Sequence, residues 1–146
     1  MKRLIIHTDG GARGNPGQGA IGVVIKDETG SLLCEISRRI GATTNNISEY
    51  SAVVASLEWI KKNRFIRQLS NQLVIQFFLD STLVVNQLNG LFKVKDAILR
   101  TYLLRVRTLE QEIGGQISYT YIPREKNSHA DFLVNKALDT PFSSSL

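Results

Sequence analysis

The chain has 146 residues, of which 42% are hydrophobic and 21% charged, a balance that excludes a disordered or fibrous protein and predicts one globular domain with a sizeable core. Lys and Arg outnumber Asp and Glu by 18 to 13, and the net charge of +5 favours polyanionic partners through phosphate attraction and counterion release. The single cysteine, Cys34, excludes a disulfide framework and a thiolate zinc site and is read as a small strand hydrophobe.

At the N-terminus the apolar run before His7 is too short for a signal peptide, and no later stretch approaches a membrane span. A cytoplasmic protein with no membrane partner is expected. Residues 3 to 9 read as a first strand: by period two Ile5, His7 and Asp9 share one face, and Leu4, Ile6 and Thr8 the other. Residues 10 to 19 read as a glycine loop. Ala20 to Lys26 and Ser31 to Arg39 read as two further strands, joined by the hairpin connection Asp27-Glu28-Thr29-Gly30.

Thr43-Thr44-Asn45-Asn46 offers caps for a helix to about Asn63, with Tyr50, Val53, Val54, Leu57 and Ile60 at core-facing spacing. After a polar break at Gln68 to Gln72, LVIQFFLD over 73–80 is apolar almost throughout, as expected of a central strand covered on both faces. Ser81 to Leu88 reads as a short helix stopped by Asn89-Gly90. Val94 to about Ile113 reads as a longer one, with Ile98, Tyr102, Leu109 and Ile113 inward. Lys93, Arg100 and Arg107 recur every seven residues, either tracking a phosphate backbone or forming a solvated face paired through Asp96 and Arg100. Gln116 to Ile122 is expected as a strand near an edge, closed by Pro123. Asn127 or Ser128 then caps a final helix with Ala130, Leu133, Val134, Ala137 and Leu138 as its apolar stripe. Residues 1–140 are read as one domain and 141–146 as a flexible, serine-rich tail.

An opening meander followed by strand-helix-strand units with right-handed crossovers predicts an α/β fold. Its sheet would be mixed and five-stranded, with helices on both faces. If the first and fourth strands are parallel neighbours, Asp9 and Asp80 lie at adjacent carboxyl ends, where open α/β sheets place ligands. Glu49 extends the inward stripe of its helix at the end nearest this edge, and Asp131 sits in the first turn of the last helix, at the same edge. Each acid also has a plain structural reading: Asp9 as an Asx turn, Asp80 as a helix cap, Asn46-x-x-Glu49 and Ser128-x-x-Asp131 as capping boxes. Those readings explain no shared location. Anions packed together repel unless protonated or neutralised by a cation, and oxygen-only ligands point to Mg²⁺ or Mn²⁺ rather than zinc.

The pieces TDGGARGNPGQGAIGVVI, TTNNISEY, LDSTLVVNQLNG followed by KVK, and YIPREKNSHADFLVNKAL closely resemble ribonuclease H of type 1, which cuts the RNA strand of RNA/DNA hybrids. The resemblance spans nearly the whole chain. It implies a ribonuclease H-like fold and a metal-dependent endonuclease acting as a monomer. It places the four catalytic and metal-binding acids on Asp9, Glu49, Asp80 and Asp131, with two ions bound alongside substrate and 5′-phosphate and 3′-hydroxyl products. It further implies substrate contacts at the glycines Gly10, Gly11 and Gly14, at Asn15, Thr44 and Asn45, and auxiliary roles for Arg124 or His129.

Some features depart from well-studied bacterial relatives. The basic helical insertion is missing between Asn89-Gly90 and the long helix, as in the short form found in archaeal, some bacterial and plant-type members. Ala42 stands where those relatives have a phosphate-pocket arginine, and the loop from Pro123 to Ser128 is short, leaving His129 inside the helix. Two alternatives remain: a nuclease of the same fold that also acts on double-stranded RNA, and a non-catalytic hybrid-binding module.

Overall fold

The computed structural model describes residues 1–69 and 72–140. Five strands, β1 (Arg3–Arg13), β2 (Gly17–Asp27), β3 (Leu32–Thr43), β4 (Val74–Leu79) and β5 (Gln116–Tyr121), form one sheet in the order β3-β2-β1-β4-β5. The first three are antiparallel neighbours, whereas β4 runs parallel to both β1 and β5. The helices are α1 (Asn45–Lys62), α2 (Arg64–Arg67), α3 (Thr82–Leu88), α4 (Ala97–Ile113) and α5 (Ser128–Asp139). This is the mixed sheet with helices on both faces that the pattern of elements predicts.

The main core lies between the sheet and helices α1 and α4. Leu4, Ile6, Ile21, Ile75 and Phe77 meet Tyr50, Val53, Leu57 and Ile60 there, together with Val106 and Leu109. Within it the Tyr50 hydroxyl donates to Gln87 Oε1 at 2.8 Å, tying α1 to α3. On the opposite face α5 covers β1, β2 and β3, with Val134, Ala137 and Leu138 against Ala20. The Arg39 guanidinium donates to the carbonyls of Ala137, Leu138 and Thr140, satisfying acceptors that a helix C-terminus leaves without partners.

Four expectations need correction. The glycine loop is much shorter than residues 10 to 19: Gly10, Gly11 and Ala12 pair with Ile21, Ala20 and Gly19, and β1 ends only at Arg13. Strand β4 is fully buried at Ile75, Phe77 and Leu79 but only half-buried at Val74, Gln76 and Phe78, because α5 sits over the antiparallel strands instead. Helix α4 begins at Ala97, with Asp96 Oδ1 accepting from the Leu99 amide at 2.9 Å. Ile98 is consequently 57% exposed, and Leu99 and Val106 take the buried stripe. Lys93 precedes that helix, and Arg107 turns back onto Glu110 and the Leu88 carbonyl, so the three basic residues form no common face.

The polar break is described only in part: α2 occupies its approach, while residues 70 and 71 lie outside the described residues, as does the tail at 141–146. Among the described residues no helix is long and apolar enough to cross a membrane.

Candidate active site

The parallel pairing of β1 and β4 runs from Arg3 opposite Val74 to His7 opposite Phe78 and then stops. Continued by two residues, that register sets Asp9 level with Asp80 where the strands part. Helix α1 reaches the same point because Gly10 has no side chain: a Cβ there would lie on the Ser48 carbonyl and 2.5 Å from the Glu49 amide nitrogen. Backbone contact this close delivers Glu49 beside Asp9. Carboxylate oxygens of Asp9, Glu49 and Asp80 all lie within 4.8 Å of one another.

Asp131 lines the same cleft, of about 320 Å³, with Arg124, Asn45 and Asn135, but stands outside that group of three. Asn135, one turn further along α5, donates to the Asp131 carbonyl at 3.1 Å and to its Oδ2 at 3.4 Å, holding the carboxylate toward the opening.

The electrostatics follow from crowding. Burial, then the neighbouring Asp80, pushes Asp9 up to about 7, although the Gly10 amide donates to its Oδ1 at 2.9 Å. Burial and the same two aspartates raise Glu49 well above the usual carboxylate range. Burial also raises Asp80, opposed by the Asn127 amide and the Arg124 guanidinium. Glu49 Oε2 is buried with no hydrogen-bond partner among the described residues. Three convergent carboxylates, one carrying an orphaned buried oxygen, and no sulfur or imidazole donor in the group fit a hard divalent cation.

The capping readings of these acids are replaced by others. Thr44 Oγ1 caps α1 by accepting from Ile47, and Ser81 Oγ caps α3 by accepting from Val84; the N-cap residue of α5 makes no side-chain cap bond. The acids are thereby left free of capping duty.

A family model described as reverse transcriptase-like matches residues 7–137. LC11-RNase H1, isolated from compost by a metagenomic approach, is 43% identical with a TM-score of 0.89, and the match covers 98% of this chain and 100% of that one. The chain belongs to the type 1 ribonuclease H family. The family's RNase H1 from the halophilic archaeon Halobacterium salinarum is 36% identical, with a TM-score of 0.84 over 95% of this chain and 99% of that one. Among curated relatives, the bifunctional protein Rv2228c of Mycobacterium tuberculosis is 33% identical over 138 residues, and the chain spans 36% of its length. LC11-RNase H1 has also been solved in complex with an RNA/DNA hybrid.

Around the acids of this family member, the expected substrate-contact residues are interlinked. The Asn45 amide donates to Asn15 Oδ1 at 3.0 Å, and the Ala12 amide to Asn45 Oδ1 at 2.9 Å, binding the start of α1 to the β1–β2 turn. Gly14 makes that turn possible with a φ of 84°. Gly10 and Gly11 line the cleft, as does Arg124, whereas Thr44 and Asn15 line a neighbouring groove.

His129 points elsewhere: its Nε2 lies 2.5 Å from Glu35 Oε2 on β3. His7 stacks on Phe78 with ring centroids 5.2 Å apart and is held below the usual imidazole range by burial and by Lys26. Asn135 was not singled out by sequence, although its i+4 spacing from Asp131 is the signal that finds it.

Proposed function

We propose that the chain is a divalent-cation-dependent endonuclease that hydrolyses the RNA strand of RNA/DNA hybrids, leaving 5′-phosphate and 3′-hydroxyl ends. The carrying observation is the trio of carboxylates where β1 and β4 part, with its unpartnered Glu49 oxygen; membership of the family supports the reaction. Asp9, Glu49, Asp80 and Asp131 would hold Mg²⁺ or Mn²⁺, two ions when substrate is bound. Ions so held would supply a nucleophilic water at neutral pH and charge stabilisation for the departing 3′ oxygen.

The chain's own contribution is positioning. A rigid β1–α1 contact at Gly10 fixes Asp9 against Glu49, and Asn135 orients Asp131. The Asn15–Asn45 link and the exposed turn at Gly14 present hydrogen-bonding groups to a nucleic-acid backbone beside the cleft that Gly11 lines, and there the 2′-hydroxyl distinguishes RNA from DNA. Arg124, on the cleft wall, contributes a cation that a phosphate can approach. We read residues 1–140 as a single catalytic domain that acts in the cytoplasm as a monomer.

The test is a substrate panel: labelled hybrid, RNA duplex and DNA duplex, each with Mg²⁺ or Mn²⁺. Cleavage of the RNA strand of the hybrid alone is expected. No hybrid cleavage by folded protein in either metal would defeat the proposal, and equal cleavage of RNA duplex would widen the substrate class. Asp80→Asn should abolish cutting and leave the fold intact.

A further inference from the structure

We infer that Asn127 is a positioning residue that sets the separation of the acid-bearing strands, an inference resting on the reading of the cleft as a divalent-cation site. Asn127 is 1% exposed and occupies the N-cap position of α5, where an asparagine side chain ordinarily accepts from first-turn amides. Here it makes no capping bond. Its Nδ2 instead donates to the Thr8 carbonyl at 2.9 Å and to Asp80 Oδ2 at 3.3 Å. Its backbone carbonyl accepts from the Asp131 amide at 3.1 Å.

The location gives this bridge its consequence. Backbone pairing between β1 and β4 ends at His7 and Phe78, so beyond that rung no ladder bond fixes the distance between Asp9 and Asp80. The two hydrogens of one planar amide span the gap, one toward the residue preceding Asp9 and the other on the Asp80 carboxylate. The same residue begins the helix that carries Asp131. Three segments remote in sequence are thus held by a single side chain and its own backbone.

An asparagine kept only for packing would be a poor choice here. Its Oδ1 is buried with no hydrogen-bond partner among the described residues, an arrangement native interiors rarely tolerate without a purpose. An aspartate has no N–H to donate, a serine has one hydrogen for two acceptors, and a glutamine adds a methylene.

The experiment compares wild type with Asn127→Ala in two assays: titration with Mg²⁺ alone, followed by backbone amide shifts near Asp9 and Asp80, and hybrid cleavage at saturating Mg²⁺. Partners that orient metal-binding carboxylates are worth about 10- to 100-fold in metal affinity or activity, so Mg²⁺ affinity and kcat should each fall by that factor while KM for the hybrid changes less than about threefold. A variant that is merely less heat-stable, with both values within about twofold of wild type, would overturn the inference.

If Asn127→Ala does not fold, the wild-type side-chain amide protons of Asn127 decide the matter. Slow exchange with water and a shift on adding Mg²⁺ support the bridge; fast exchange and no response overturn it. Wild-type protein that neither binds Mg²⁺ nor cuts would defeat the functional reading itself, and this inference with it, whereas a wild type that does both with an unaffected variant defeats only the role of Asn127.

Discussion

Gly10 on β1 lies directly against the Ser48–Glu49 peptide of α1, with no room for a methyl group between them. Because the neighbour is backbone, an added Cβ cannot be accommodated by a rotamer change. Gly10→Ala should therefore force the start of α1 away from β1. Overpacking of this kind costs about 3 kcal/mol or more, read as a lower urea midpoint. A shift of about 1 Å at Glu49 relative to Asp9 should lower kcat on the hybrid about a hundredfold in the folded fraction. An alanine variant with unchanged stability and activity would contradict the close approach.

The crowded carboxylates make the metal-free protein sensitive to pH. Asp9 is raised from 3.8 to about 7 by burial and by Asp80, so the folded state holds its proton more tightly than the unfolded chain does. The associated stability is present in full below about pH 4 and is lost as pH rises through about 7. At roughly 1.4 kcal/mol per pKa unit the loss amounts to up to about 4 kcal/mol. Glu49 and Asp80 are raised as well and add in the same direction. In EDTA, thermal midpoints should fall from pH 5 to pH 8, Mg²⁺ should restore them at pH 8, and Asp9→Asn should flatten the profile. A metal-free midpoint that rises over this range would refute the account.

The acids were legible because their placement depends on quantities a sequence carries: period two along β1, the length of β4, and the helical spacing from Glu49 to Val53 and Leu57. Once β1 and β4 are parallel neighbours, Asp9 and Asp80 must lie near each other. The glycines misled in one respect, since Gly10 to Ala12 look like turn residues yet continue the strand; their smallness serves the approach of α1. Ile98 misled because the start of α4 is set by the Asp96 cap rather than by the apolar residues before it. Asn127 reads as a cap in sequence, and nothing local reveals that its side chain turns inward to a strand more than a hundred residues away. The contact of His129 Nε2 with Glu35 is equally nonlocal, because it depends on how α5 lies across β3.

Glu49→Gln separates stability from function. The substitution keeps the shape and removes an ionisable group that is buried beside two other carboxyls and is raised by them, so the metal-free protein should unfold at a higher temperature than wild type at pH 8. Even residues that only support a metal site cost about 10- to 100-fold in metal affinity or activity when lost, so removing a proposed ligand of the cation should lower hybrid cleavage by at least that much. Calorimetry in EDTA together with a cleavage assay checks both halves. A variant that loses stability and activity together would mean that Glu49 is principally structural.

Tyr50 and Gln87 form a buried pair one residue from Glu49 on α1 and within the helix that follows Asp80. Their bond lies in the main core, away from solvent, so the two possible ways of removing it differ in consequence. Tyr50→Phe deletes the donor and strands Gln87 Oε1, which costs about 1–3 kcal/mol for an unsatisfied buried acceptor. Adding Gln87→Met removes the acceptor as well and should recover most of that loss, giving a coupling energy of about 1 kcal/mol or more in a double-mutant cycle. Urea denaturation of the four proteins measures it. Because neither side chain enters the cleft, kcat on the hybrid should stay within about a factor of ten in all four, the residual effect arising from small shifts between α1 and α3. Additive stabilities would indicate that the hydrogen bond contributes nothing to the contact, and a loss of activity far beyond that factor would show that the α1–α3 separation itself controls how Glu49 meets Asp80.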